Sequence, residues 1–182
     1  MATLTIGTTV EEVLALVDEL DEIQHARTDL RTLALRAAGL ALDEGGDDEL
    51  VTATLLHDIG RARYLSRGAP GVPHEEVSRR FVAERFSDRA AWLVAQHVVA
   101  QRYLATVDES YVDGLNGPQR TALRRHGTSL SSAKVLRFES HDHAADAVRL
   151  RRWSDRAVDP SVGLGDLDRI GRAMAGAWVH AV

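Results

Sequence analysis

The chain has 182 residues, 45% of them hydrophobic and 27% charged, with a formal net charge of −5. That length and balance suit one globular domain with a buried core and exclude a disordered chain. Without Cys there is no disulfide framework, thiolate metal site or Cys nucleophile, so a transition metal has only imidazole and carboxylate to rest on, for which eight His are present.

Taken in chain order, the N-terminus MATLTIGTTVEE has neither a basic flank nor a signal-type apolar core, and its Thr3–Ile6 stretch reads as strand-like. Thr9 followed by Glu12 is a capping-box pattern, and Val10, Val13, Leu14, Val17 and Leu20 then trace one helical face. Leu30, Leu33, Ala34, Ala37 and Ala41 repeat that spacing until Gly45-Gly46. Asp47 or Asp48 can cap a third helix carrying Leu50, Val51, Thr54, Leu55 and Ile59. After the break at Arg67 to Pro73, helices are predicted over His74–Phe86 and Asp88–Leu104, the second opened by Ser87-Asp88. Pro118 suits the first turn of a short helix, and His143–Ala157 and Asp166–Val179 close the chain. The expected fold class is all-α, as one helical domain over residues 1–182. No apolar run reaches the ~18–20 residues of a membrane span, and a pI near 5.9 with mixed signs argues against a nucleic-acid binder. A cytoplasmic protein is expected, with no membrane or nucleic-acid partner; nothing in the sequence specifies an oligomeric state.

The strongest chemical signal is LLHDIG, Leu55 to Gly60. An adjacent His-Asp pair in an apolar helical run is costly to bury unless both groups are paired or ligate something. On a helix the two side chains would point about 100° apart, able to reach one metal from different sides or two metals. The alternative is a satisfied buried His57 beside an exposed Asp58. His74 opens one helix and His97 sits on the apolar side of another, so His57, Asp58, His74 and His97 make a nitrogen/oxygen ligand set. Singly, His74 reads as a cap and His97 as a core residue. His141 and His143 in ESHDHAAD read as a solvated loop-to-helix junction, and Trp153 reads as core. There is no Walker loop, dinucleotide fingerprint or nucleophile elbow.

The order His-Asp, then Pro-His-Glu-Glu-Val, then QHVVAQRYL, then a late LRRW resembles HD-domain proteins, and more narrowly the mixed-valent di-iron oxygenases that break down organophosphonates. The resemblance runs from about residue 30 to 160. It implies an HD-type helical bundle in which two irons activate oxygen beside an α-hydroxylated phosphonate. It also implies Asp58 as the bridging carboxylate, His57 as a ligand to one iron, and His74 and His97 as ligands to the other. The family's further His ligand falls on Leu33, and its Asp after the late Trp falls on Ser154, with Asp155 one place later. His25 and Asp29 lie two turns and one turn before Leu33. The family's phosphonate-binding Lys falls on Gln101, its Gly-His after the HD pair on Gly60-Arg61, and a basic position it keeps on Arg151. The stretch from His126 to Ser129 falls where the family contributes substrate contacts.

Both unmatched ligands belong to the same iron, so one firmly held Fe or other divalent metal is expected rather than two. Asp58 and Arg61 are the candidate catalytic residues, and Arg61, Gln101 and Arg151 the candidate binders of a small anionic molecule. Three functions follow: an oxygenase-like, iron-dependent enzyme acting on a small phosphonate or related anion; a metal-dependent phosphohydrolase; or a binding or regulatory relative without catalysis.

Overall fold

In a computed structural model, which describes residues 9–25 and 27–179, the chain is a bundle of eleven helices. The strand-like Thr3–Ile6 segment and the His25 side chain lie outside the described residues. Helix α1 (Val10–Asp18) begins at Thr9, whose hydroxyl accepts from the Glu12 N–H, and buries Val13, Leu16 and Val17. A 3-10 turn at Glu19–Glu22 follows, burying Leu20. The chain then makes a short antiparallel pairing of β1 (Gln24–His25) with β2 (Thr28–Asp29), which hydrophobic periodicity does not announce. Asp29 caps α2 (Leu30–Asp43) through the Thr32 N–H, so its carboxylate is spent on the helix start. Helix α2 lays a run of small residues, Ala34, Ala37, Ala38 and Ala41, against the core. Asp47, capping through the Leu50 N–H, opens α3 (Asp48–Leu56), which is buried on every side from Leu50 to Leu56.

The helix does not run through the HD pair. It stops at Leu56, with His57 as its C-cap and Asp58 at φ −103°, ψ 7°, followed by a 3-10 turn at Ile59–Arg61. The expectation of two side chains displayed around a continuous helix is therefore corrected: a change of backbone direction separates them.

Helix α4 (Arg63–Gly68) leads to α5 (His74–Ala83), which starts behind Pro73. Helix α6 (Asp88–Val107), capped by Ser87, is the longest element, and α7 (Tyr111–Gly114) follows it. Helix α8 (Gly117–His126) carries a full capping box between Asn116 and Gln119, with Pro118 in its first turn. Helix α9 (Ser132–Glu139) has no counterpart among the expected elements, whereas α10 (Ala144–Arg156) and α11 (Leu167–Ala177) match theirs to within two residues. Capping side chains of this kind are each worth about 1 kcal/mol, which is why the helix starts were readable.

Helix α3 sits in the middle, packed by α2, α6, α10 and α11, while α6 also packs against α5 and α10. The core between them holds Leu50, Leu55, Leu56, Ile59, Leu93, Leu150 and Trp153. Trp153 donates from its indole N–H to Glu44 at 2.8 Å, tying α10 to the end of α2. No helix of the described residues is long and apolar enough to cross a membrane.

Candidate metal centre

The end of α3, the Ile59–Arg61 turn, the start of α5, the middle of α6, and α8 and α10 all border a cavity of about 220 Å³. The turn is held close to α5 by Gly60, whose N–H donates to Ser78 Oγ at 2.8 Å. A side chain at Gly60 would collide with the His74 carbonyl and with Ser78. This close approach sets Asp58 beside His74.

Asp58, His74 and His97 bring one donor atom each within 4.8 Å of the others. His74 Nε2 lies 3.0 Å from Asp58 Oδ1 and 3.2 Å from His97 Nε2, and His97 Nε2 lies 4.0 Å from Asp58 Oδ1. The other ring nitrogen of each imidazole meets an acceptor. His97 Nδ1 donates to the Val94 carbonyl at 2.7 Å, and His74 Nδ1 donates to Glu75 Oε2 at 3.0 Å. That pattern fixes the tautomers with the Nε2 lone pairs turned inward, the arrangement in which imidazole binds metals. Two such lone pairs 3.2 Å apart beside a carboxylate oxygen repel one another unless a cation stands among them. The donor set therefore fits a divalent metal with mixed nitrogen and oxygen ligation.

His57 is the neighbouring imidazole, its ring centroid 5.0 Å from that of His97. Its Nδ1 donates to the Thr54 carbonyl at 2.8 Å, and its Nε2 lies 3.6 Å from Asp58 Oδ2. That Nε2 takes a hydrogen bond from Ser154 Oγ at 3.2 Å. Leu33 lines the cavity with His57 and Ser154 and adds only hydrocarbon. Asp155 does not turn back toward His57. Its carboxylate accepts from the Tyr111 hydroxyl at 2.5 Å and from the Gln119 amide at 3.3 Å, and it is ion-paired with Arg151.

The electrostatics follow from burial. Desolvation pushes the Asp58 carboxyl up, but Arg61, His57 and His74 outweigh it and hold it well below the usual carboxylate range. Burial lowers the pKa of both His57 and His97; His97 is lowered further by its imidazole neighbours, so both stay neutral at pH 7. Burial also opposes the Arg151 charge, but Asp155 more than compensates and keeps it protonated. Desolvation and the Asp155 carboxylate raise the Tyr111 hydroxyl, keeping it a donor.

The anticipated anion binders all border the cavity. Arg61 donates from Nε to Asp58 Oδ1 at 2.8 Å and from Nη2 to His74 Nε2 at 3.1 Å. Gln101 is 3% exposed. Arg151 is committed to Asp155 through its Nη2, while its buried Nε–H finds no acceptor among the described residues. His126 borders the cavity too, its ring centroid 6.1 Å from that of His74, and so does Arg125, which sequence reasoning missed. Arg125 stands one residue before His126, inside a run that reads simply as a basic helix end. His141 and His143 lie elsewhere: His141 stacks on Trp92 with ring centroids 3.7 Å apart, and His143 is the N-cap residue of α10.

A helical bundle with a His-Asp pair at the end of α3 and further His on α5 and α6 defines a class, and sequence comparison agrees with it. The HD domain family model matches residues 30–122, and the chain belongs to that family. The chain is 32% identical to hydroxymethylphosphonate dioxygenase of Gimesia maris over 140 residues, covering 74% of this chain and 70% of that protein. An uncharacterized protein of Acanthamoeba polyphaga mimivirus is 29% identical over 155 residues, 81% of this chain and 70% of that one. The glycine-betaine-forming 1-hydroxy-2-(trimethylamino)ethylphosphonate dioxygenase of Leisingera caerulea is 25% identical over 122 residues, 64% of this chain and 62% of that one.

Proposed function

We infer that this chain, as one helical domain over residues 1–182, is a metal-dependent enzyme of the oxygenase type acting on a small phosphonate or related anion. The observation that carries the reading is the convergence of Asp58 Oδ1, His74 Nε2 and His97 Nε2 at a cavity edged by guanidinium groups. The likeness to two phosphonate dioxygenases supports the substrate class and the choice of iron.

Asp58, His74 and His97 would hold one metal. His57, with Nδ1 given to Thr54 and Nε2 taken by Ser154, stands beside Asp58 rather than ligating a second metal. When bound, a divalent metal at such a site supplies Lewis acidity and, as iron, one-electron chemistry with oxygen. The chain's own groups do the rest. The unsatisfied Arg151 Nε–H is a charged donor awaiting an anionic oxygen, and Asp155 and Tyr111 hold its guanidinium in place. Arg61 brings a second guanidinium, the planar fork that matches phosphoryl oxygens. Gln101 can add a neutral amide contact where a charged Lys is absent. Leu30, Leu33, Ala34 and Val98 give the remaining wall hydrocarbon that limits the water around the reacting carbon.

A second reading, metal-dependent hydrolysis of a phosphoester, is favoured by the Ser154–His57 hydrogen bond, which fills the position of a second metal with neutral groups. One experiment separates the two. Protein purified anaerobically with iron is assayed for metal content, then for oxygen uptake with 1-hydroxyalkylphosphonates and for phosphate release from phosphoesters without oxygen. About one iron per chain with phosphonate-dependent oxygen uptake is expected. Phosphate release from phosphoesters without oxygen selects the hydrolase, and a protein that carries no metal after iron loading rejects both readings.

A further inference from the structure

The guanidinium of Arg61 occupies the donor atoms that a metal would need. Its Nε binds Asp58 Oδ1 and its Nη2 binds His74 Nε2, so two of the three converging ligand atoms are already engaged by a cation of the same chain. A hydrogen bond from a guanidinium and a bond to a metal compete for the same lone pair on His74 Nε2, since a neutral imidazole has only one. His97 Nε2 takes nothing from Arg61 and lies 3.2 Å from His74 Nε2 and 4.0 Å from Asp58 Oδ1. The arm is free to leave: the Arg61 side chain is 36% exposed, it borders the cavity, and the turn that carries it is anchored through Gly60 rather than through Arg61 itself.

We propose that Arg61 is a built-in competitor for the metal, closing over Asp58 and His74 while the metal is absent, and that its release into the cavity couples metal binding to anion binding. This rests on the metal-site reading given under the proposed function. In the closed arrangement Arg61 neutralises Asp58, with its Nε–H and one Nη2–H engaged there. Once a metal takes Asp58 and His74, the guanidinium loses the single His74 Nε2 lone pair and is repelled by the new charge. The nearest compensation is an anion in the cavity that it already borders, where Arg151 offers its unsatisfied Nε–H. An anion that holds Arg61 outward removes the competitor and tightens the metal. By linkage the metal tightens the anion by the same factor. The device keeps the two cations from sharing the carboxylate and makes the loaded centre depend on having an anion beside it.

The test uses the full-length, metal-free chain titrated with Mn(II), with unbound Mn(II) followed by its paramagnetic resonance signal, in the absence and presence of methylphosphonate. Wild type is compared with Arg61→Met, Arg61→Gln and His97→Ala, each checked for retained helicity. Without methylphosphonate, Arg61→Met and Arg61→Gln are expected to bind Mn(II) about tenfold more tightly than wild type, within the usual span of such couplings. Methylphosphonate should tighten Mn(II) on wild type severalfold and leave both Arg61 variants unchanged. Equal or weaker Mn(II) binding by both Arg61 variants overturns the proposal, as does tightening by methylphosphonate that is as large in the variants as in wild type. If His97→Ala still abolishes binding in either case, the metal site stands and only the role of Arg61 falls. Failure of wild type and of both Arg61 variants to bind Mn(II) overturns the role of Arg61 and the metal site together.

Discussion

Two sides of the same cavity have been resolved in opposite ways. Around Asp58, His74 and His97, one donor atom from each converges within 4.8 Å of the others, an arrangement that could hold a cation. Around His57, the donors and acceptors are balanced without an ion: Ser154 gives its proton to Nε2, the Thr54 carbonyl takes the one on Nδ1, and Leu33 fills the space beside them. The contrast teaches that an imidazole in a metalloprotein family is not a ligand by type. It is a candidate ligand when its inward nitrogen meets other acceptors or a displaceable side chain, rather than a neutral donor such as Ser154.

The sharpest way to break that comparison is to disarm the unbalanced side. His97→Ala should reduce metal content, by elemental analysis, from about one ion per chain to none, an effect larger than the 10–100-fold usual for a supporting residue. The next is to unbalance the other side. Leu33→His combined with Ser154→Asp should raise the content from about one to about two, and a content that stays at one would mean that the His57 side lacks more than its two ligands.

How much of this was legible in the sequence depends on what each residue needed to declare itself. The His57-Asp58 pair was visible because such a pair in an apolar run is expensive to bury without partners, and His74 and His97 because they complete a nitrogen/oxygen set with it. The helix starts were visible because Thr9, Asp47 and Ser87 are capping residues, and each does cap. The stop at Leu56 was not, because Ile59 continues the apolar spacing, and only Gly60 pressed against Ser78 reveals that the backbone turns there. Arg61 was legible as a cavity residue but not as a partner of His74, since that contact depends on two segments joined in space by the same turn. Whether Asp155 had slipped into the ligand position could not be read either: its partners Tyr111 and Gln119 lie 44 and 36 residues away.

Smaller effects sharpen the picture. Arg151→Met strands Asp155 with its charge largely buried; a loss of roughly 3 kcal/mol in urea unfolding is expected, as for a broken buried ion pair. Joint replacement of Arg151 and Asp155 by apolar residues should recover much of it. Acidification should destabilise the metal-free chain in a defined direction. His57 and His97 titrate below 6.5 in the folded state because they are buried, so the unfolded chain binds more protons as pH falls through about 6.5. Stability is therefore full above that pH and is lost below it, until the lowered folded values are passed. Asp58, also lowered, adds a second loss in the same direction as pH falls through about 3.8. Thermal or urea unfolding across pH 4–8 measures this, and a flat profile would mean that the two imidazoles are solvated. Smallest of all, Ser154→Ala should cost about 1 kcal/mol for one neutral hydrogen bond and leave the metal content unchanged.

The bond from the Gly60 N–H to Ser78 decides which parts of the site depend on one another. It couples the turn bearing Asp58 and Arg61 to the helix bearing His74, so those three residues are positioned together. His57 and Ser154 answer to different helices, α3 and α10, and Leu33 to a third, α2. A side chain at Gly60 would meet the His74 carbonyl and Ser78 and so disturb the placement of all three residues at once. One half of the centre thus rests on the absence of a single methyl group.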